Sequence, residues 1–334
     1  MIHQANLSVE SQWQKELKQS YTKPKDLLNY LNLPVADFEK DFEARKLFNM
    51  RVPRYFASLM EKGNPNDPLF LQVMPQIQEF IEKAGYEADP LKEHDSEMPG
   101  LLHKYKSRVL IMFRTGCAVN CRYCFRREFP YADNAVNKEK LTQVLDYISQ
   151  NKQINEVILS GGDPLMANDQ AIAWFVEQCE SISHLKRLRI HTRLPVVMPS
   201  RVTKELIDSL QQSRLKAIVV LHINHHKEIS EQLILACSKL NNAGITLFNQ
   251  AVLLKNINDT VHTQVLLAER LFDSGILPYY LHLLDKVTGV THFNLTEAES
   301  KKIYEGMLAE LPGFLVPKLV REVGGESSKT PVLP

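Results

Sequence analysis

No run of this chain is both apolar enough and long enough to cross a bilayer, which takes about 20 residues. The opening Met-Ile-His-Gln-Ala-Asn lacks the basic-then-apolar pattern of a secretory leader. A surplus of charge is missing too: 40 Lys and Arg stand against 39 Asp and Glu, a formal net charge of +1. No global field therefore favours nucleic acid or an anionic membrane as a partner. Cysteine is scarce, with five in 334 residues, and no internal repeat or low-complexity tract is evident. These absences leave an ordinary globular protein whose expected location is the cytoplasm. In that reducing compartment, clustered thiols are ligands before they are disulfide partners.

The first hundred residues read as helical and irregular. Helices are expected over 9–19, opened by Ser8, over 24–31 behind Thr22-Lys-Pro24, and over 35–49 and 53–62. A loop rich in Pro, Asn and Asp follows at 63–68, then a short helix over 75–84 and a polar surface connection over 87–99. From residue 107 short β-rich runs alternate with helical periods. Strands are expected at 108–113, 155–160, 188–191, 217–222, 245–250 and 279–284. Helices are expected at 138–151, 168–181, 201–212, 228–243, 260–274 and 296–310, and a last extended piece at 313–320. Such alternation implies a parallel sheet with right-handed crossovers, and mostly apolar strands fit a sheet covered on both faces. Six units fall short of the eight of a closed barrel. The expected fold is α/β: a partial, open (β/α)6 barrel over 101–312, an N-terminal helical extension over 1–100, and a C-terminal segment over 313–334.

Three of the five cysteines fall within eight residues, in Cys117-Ala-Val-Asn-Cys121-Arg-Tyr-Cys124. They follow the first expected barrel strand, at the end of a parallel sheet where chemistry collects. Three thiolates on one loop suit a [4Fe–4S] cluster with one iron left open. A structural zinc site, which needs a fourth ligand such as a remote histidine, is the alternative. Cys179 and Cys237 sit alone in helical patterns and read as core packing.

The C-x3-C-x2-C spacing resembles the hallmark of the radical S-adenosylmethionine (SAM) superfamily. Together with Ser160-Gly-Gly-Asp-Pro-Leu165 and Gly324-Gly-Glu-Ser-Ser-Lys329-Thr-Pro331, it is similar to the lysine 2,3-aminomutase family. Val52-Pro-Arg54 and Glu61-Lys-Gly-Asn-Pro65 resemble the bacterial branch that supplies β-lysine for modifying elongation factor P. The resemblance spans roughly residues 45–334. It implies a radical SAM barrel whose Cys117, Cys121 and Cys124 hold the cluster. It implies that Gly161, Gly162 and Asp163 meet SAM, and that Lys329 carries pyridoxal phosphate (PLP), with Arg108 and Gln250 contacting that cofactor. Tyr105, His222, Asn224 and His225 are supporting candidates. The implied reaction is 2,3-amino migration converting L-lysine to β-lysine, with a functional link to elongation factor P and its lysyl-ligating enzyme.

Charge complementarity extends this to the substrate. A diamino acid needs a cation for its carboxylate and anions for its distal ammonium. By resemblance Arg126 supplies the first, and a guanidinium can grip a carboxylate bidentately. Asp285 matches one ammonium-binding aspartate; where the family has the second, this chain has Glu322, which keeps the charge and adds a methylene. Another radical SAM enzyme without PLP, and a non-enzymatic zinc-stabilised module, are the competing readings.

Overall fold

The computed structural model describes residues 10–94 and 98–333. Ser8, the first residue of the helix expected over 9–19, and part of the 87–99 connection lie outside the described residues. The N-terminal extension comprises α1 (Gln12–Lys18), α2 (Pro24–Tyr30), a 3-10 stretch Val35–Lys46, α3 (Arg54–Ser58), α4 (Pro68–Leu71) and a 3-10 turn Ile77–Phe80. Helix α1 opens at Ser11, whose backbone N–H donates to the Gln14 side chain at 3.0 Å. Helix α2 starts on Pro24, where a missing N–H costs nothing.

Three N-terminal expectations need correction. The 35–49 stretch is 3-10 rather than α, because it buries only Ala44 and offers no continuous apolar stripe. The helices expected at 53–62 and 75–84 shorten to α3 and a 3-10 turn. Tertiary hydrogen bonds capture their neighbours instead: Gly63 N–H donates to Leu31 O at 2.7 Å and Ile77 N–H to Asp41 Oδ1 at 2.7 Å.

The rest of the chain builds one nine-stranded sheet in sequence order. Its elements are β1 (Leu101–Tyr105), β2 (Arg108–Arg114), α5 (Lys138–Gln150), β3 (Glu156–Gly161), α6 (Asp169–Glu180), β4 (Arg187–Thr192), α7 (Leu194–Val197), α8 (Lys204–Gln211) and β5 (Lys216–Leu221). Then come α9 (Glu231–Asn242), β6 (Thr246–Val252), α10 (Val261–Asp273), β7 (Leu277–His282), α11 (Glu297–Glu310), β8 (Lys318–Arg321) and β9 (Thr330–Pro331). Strands β2 to β8 are parallel, and β1 and β9 are antiparallel additions at the two edges.

Each main crossover helix opens on a polar cap that satisfies an otherwise free N–H. Asn137, Asn168, Thr203, Ser230, Thr260 and Thr296 serve α5, α6, α8, α9, α10 and α11. Strand β3 is buried along its whole length, the signature of a strand covered on both faces. Cys179 and Cys237 lie in the core at 0% exposure, as their helical setting predicts.

The architecture is the α/β barrel expected, six βα units left open, with two additions. The 313–320 piece contributes a seventh parallel strand, and β1 pairs as a hairpin with β2. Two register shifts fall near the barrel mouth, between Met112 and Arg114 and between Asn249 and Gln250. Strands β1 and β9 do not pair. Lys104 spans that gap, donating to Val323 O at 3.0 Å and lying 3.5 Å from Glu322 Oε1. Among the described residues, no helix is long and apolar enough to cross a membrane.

Candidate active site

The cysteine loop leaves β2 at Arg114 and is held from behind by the N-terminal extension. Arg122, between Cys121 and Cys124, is fully buried and clamps Glu79 with Nε at 2.8 Å and Nη2 at 2.5 Å. Arg127 reaches the same carboxylate at 2.7 Å. Arg122 also donates to Phe48 O and Asn49 O, at 2.9 and 3.0 Å. Asn120 N–H bonds Arg51 O, and Arg51 returns a bond to Cys117 O at 2.9 Å. Two buried cations on one carboxylate are tolerated because backbone carbonyls take further donors, Phe48 O and Asn49 O from Arg122 and Arg122 O and Gly289 O from Arg127.

The three cysteines are half-buried and influence one another. Burial raises the Cys117 thiol well above its usual value, and the neighbouring Cys124, Asp163 and Cys121 add to that. Cys124 is pushed up to about 11, by burial first and by Cys121 next. Such thiols stay protonated unless a cationic ligand takes the proton's place.

The glycines at 161 and 162 allow a close approach of two backbone segments. Gly161 has φ +119°, and a Cβ there would lie 2.3 Å from Arg114 O; one on Gly162 would lie 2.5 Å from Gly116 O. They let the cysteine loop lie directly on the turn, fixed by Gly162 N–H to Arg114 O and Asp163 N–H to Gly116 O. Asp163 is engaged within the fold. Its oxygens accept from Thr192 Oγ1 at 2.7 and 2.9 Å and from the N–H groups of Leu165, Arg193 and Leu194. This turn would therefore meet a ligand with its backbone rather than with a free carboxylate.

Four of the predicted residues gather on the other side of the mouth. Arg126 is buried and donates to Ser160 Oγ at 3.1 Å. Its fork is engaged bidentately by Glu93, Nε to Oε2 at 2.6 Å and Nη2 to Oε1 at 2.9 Å. Lys329 pairs with Glu322 and lies 5.7 Å from the centre of the Tyr280 ring. Asp285 lies within electrostatic range of Glu322, Lys329, Glu93 and Arg126. Burial, then the like charge of Glu322, pushes its carboxyl up to about 7. Burial alone would raise Glu322, but the Lys329 ammonium outweighs it and holds the carboxyl at about 2. The site is thus paired with itself: Glu93 satisfies the guanidinium, and Lys329 satisfies an acid.

Of the remaining candidates, Arg108 stacks on Tyr105 with its guanidinium carbon 3.7 Å from the ring centre. Gln250 lies on β6 beside the register shift, opposite Tyr280. His222 shares a 2.9 Å hydrogen bond with Tyr123 OH. Asn224 and His225 serve the fold: Asn224 Nδ2 bonds Gln72 Oε1 at 3.1 Å, and His225 Nδ1 accepts from Lys227 N–H at 3.1 Å.

Comparison with known proteins accords with this geometry. The radical SAM superfamily profile matches residues 111–263. A Haemophilus influenzae protein named L-lysine 2,3-aminomutase is 52% identical over 322 residues, 96% of this chain and 95% of that protein. Its Escherichia coli namesake is 47% identical, over 99% of this chain and 98% of that one. That of Clostridium subterminale is 34% identical, over 96% of this chain and 78% of the relative. The chain belongs to the lysine 2,3-aminomutase family.

Membership in this radical SAM family implies a [4Fe–4S] cluster and SAM. The donor set fits. Three half-buried cysteines lie within electrostatic range of one another, and Arg193 Nη1 lies 2.8 Å from Cys121 Sγ. Positive charge of this kind is what thiolate ligands need. Among the described residues no three His, Cys, Asp or Glu converge closely enough for a single metal ion. A cluster does not require that convergence, because its thiols sit on separate irons.

Sequence reasoning missed Arg193, Glu228, Gln72, Glu79 and Glu93. All five act through pairings between residues 33 to 156 positions apart, or bear on them, and local spacing carries no trace of such pairings.

Proposed function

We propose that this chain is an L-lysine 2,3-aminomutase, moving the 2-amino group of L-lysine to C3 to give β-lysine. We further propose that the product serves the modification of elongation factor P by its lysyl-ligating enzyme. Cys117, Cys121 and Cys124 would hold the cluster, and Lys329 would hold PLP. When bound, the cluster with SAM supplies a carbon-centred radical and PLP a conjugated sink for unpaired spin.

One observation carries the reading: Lys329 pairs with Glu322, and Asp285 lies within electrostatic range of that pair and of Arg126. That is the charge pattern of a diamino acid in negative. Arg126 would release Glu93 and grip the substrate carboxylate. Lys329 would leave Glu322 as its amine engages the cofactor, and the freed acid, with Asp285, would take the distal ammonium. Asp285 with a carboxyl near 7 ionises readily once a second cation arrives. Two buried polar atoms support a place for PLP. Arg189 Nε and His191 Nε2 are buried with no partner among the described residues, as donors awaiting an anion would be. His191 also lies within electrostatic range of Lys329.

The test is an anaerobic assay with L-lysine, SAM, PLP and reductant, with chiral analysis of the product. β-Lysine is expected. Borohydride reduction of the PLP-loaded protein should leave a pyridoxyl group on Lys329. Its absence would move the chain to a radical SAM enzyme of another kind.

A further inference from the structure

Several guanidinium groups surround the cysteine loop, and most are committed elsewhere. Arg51 donates to the Cys117 carbonyl, Arg126 to Glu93 and Ser160, and Arg122 and Arg127 to Glu79. Arg193 differs in donating to a sulfur, with Nη1 2.8 Å from Cys121 Sγ.

Its placement is over-determined. The backbone N–H of Arg193, one residue past β4, is tied to Asp163 Oδ2 at 2.8 Å. The guanidinium is held by Gln72 Oε1 at 2.7 Å and Glu228 Oε2 at 2.9 Å, and it also meets Tyr123 OH. Glu228 is fixed in turn by the N–H groups of Asn224 and His225, both at 3.0 Å, and by Gln72 Nε2 at 3.2 Å. The whole set is buried. A fork this constrained is directed at the sulfur rather than resting near it by chance. The Glu228 pair also keeps a buried cation from standing alone, which would cost several kcal/mol.

We propose that Arg193 is a positioning residue for the cluster, donating an N–H···S hydrogen bond to the Cys121 thiolate and stabilising the reduced, more negative cluster. This rests on the cysteine assignment proposed above. Hydrogen bonds and charge at cluster sulfurs are established determinants of reduction potential. One-electron reduction adds a negative charge, so a fixed guanidinium on a ligand sulfur favours the reduced state. The asymmetry matters as well, since Cys124 accepts from a neutral backbone N–H, that of Arg126, whereas Cys121 would accept from a guanidinium.

The experiment uses anaerobically reconstituted, SAM-free holoprotein, with iron counted per chain and the cluster potential measured by EPR-monitored redox titration. R193Q is expected to make reduction about tenfold less favourable, a midpoint about 59 mV lower for one electron. R193K, which keeps the charge without the fork, should recover part of the shift. The double variant R193Q/E228Q removes both charges together and guards against an unpaired buried carboxylate. In the parent protein labelled with guanidino-15N arginine, pulsed EPR of the reduced cluster should show a 15N coupling that R193K lacks. A normal potential in R193Q at full iron content, or no 15N coupling in the parent, overturns the proposal. The parent spectrum decides even if no variant folds. A parent that takes up no iron–sulfur cluster would instead overturn the cysteine assignment.

Discussion

The two flanks of the barrel mouth are built on opposite principles. Behind the cysteines, Arg122, Arg127 and Arg193 meet Glu79 and Glu228, and each cation also has carbonyl or amide partners. On the flank proposed to take the substrate, Arg126 pairs with Glu93 and Lys329 with Glu322, with Asp285 in electrostatic range, and a ligand would have to undo those pairs. The first flank is held by buried ion pairs and hydrogen bonds to the fold itself. The second holds internal stand-ins, a carboxylate on Arg126 and an ammonium on Glu322, so that buried charges are never left bare. On the function proposed, a radical source must stay fixed whereas a substrate site must exchange its contents, and the difference accords with that.

The comparison can be broken most severely at its centre. Lys329→Ala should abolish β-lysine formation and the borohydride-trapped pyridoxyl signal, while iron content stays at the parent level; a fall in iron would mean that the flanks are not separate. Next, Glu79→Ala leaves Arg122 and Arg127 buried without their shared anion. It should lower stability by about 3–5 kcal/mol, read by denaturant unfolding of the metal-free protein. An unchanged midpoint would show that the anchor is not built as described. On the other flank Glu93→Gln should release Arg126. KM for lysine is expected to fall roughly tenfold, about 1.4 kcal/mol, with kcat little changed. A rise in KM would make Glu93 a binding group instead of a stand-in.

The smallest effect is in pH dependence. The Asp285 carboxyl is raised from 3.8 to about 7 in the folded protein. Between pH 4 and 7 the folded state therefore binds more protons than the unfolded chain, and this group's contribution to stability falls as pH rises. Asp285→Asn should flatten that part of the stability profile and leave the variant relatively more stable at pH 8. A profile that superimposes on the parent's would contradict the burial of this carboxyl among acids.

Legibility in the sequence followed the range of the interaction. The alternating strands and helices were readable because periodicity and caps such as Asn137 and Thr296 are local. Strand β1 was missed because Leu101–Tyr105 is short and half polar, and its formation depends on pairing with β2. The 3-10 stretch at Val35–Lys46 was misread as α because its apolar residues looked sufficient until their burial was known. Gly161 and Gly162 were recognisable as a close approach, and the packing of the cysteine loop against them needed the fold to be seen.

By itself the sequence determined the βα order, the three-thiol loop placed after a strand, and the residue types from which a lysine site can be made. Those features depend on neighbours along the chain, where propensity and spacing act. Only the tertiary structure decided which cation meets which anion. Arg193 reaches Cys121 from 72 positions away, and Glu93 holds Arg126 from 33. Such pairs are selected by burial, which makes an unpartnered charge costly and leaves few arrangements in which none exists.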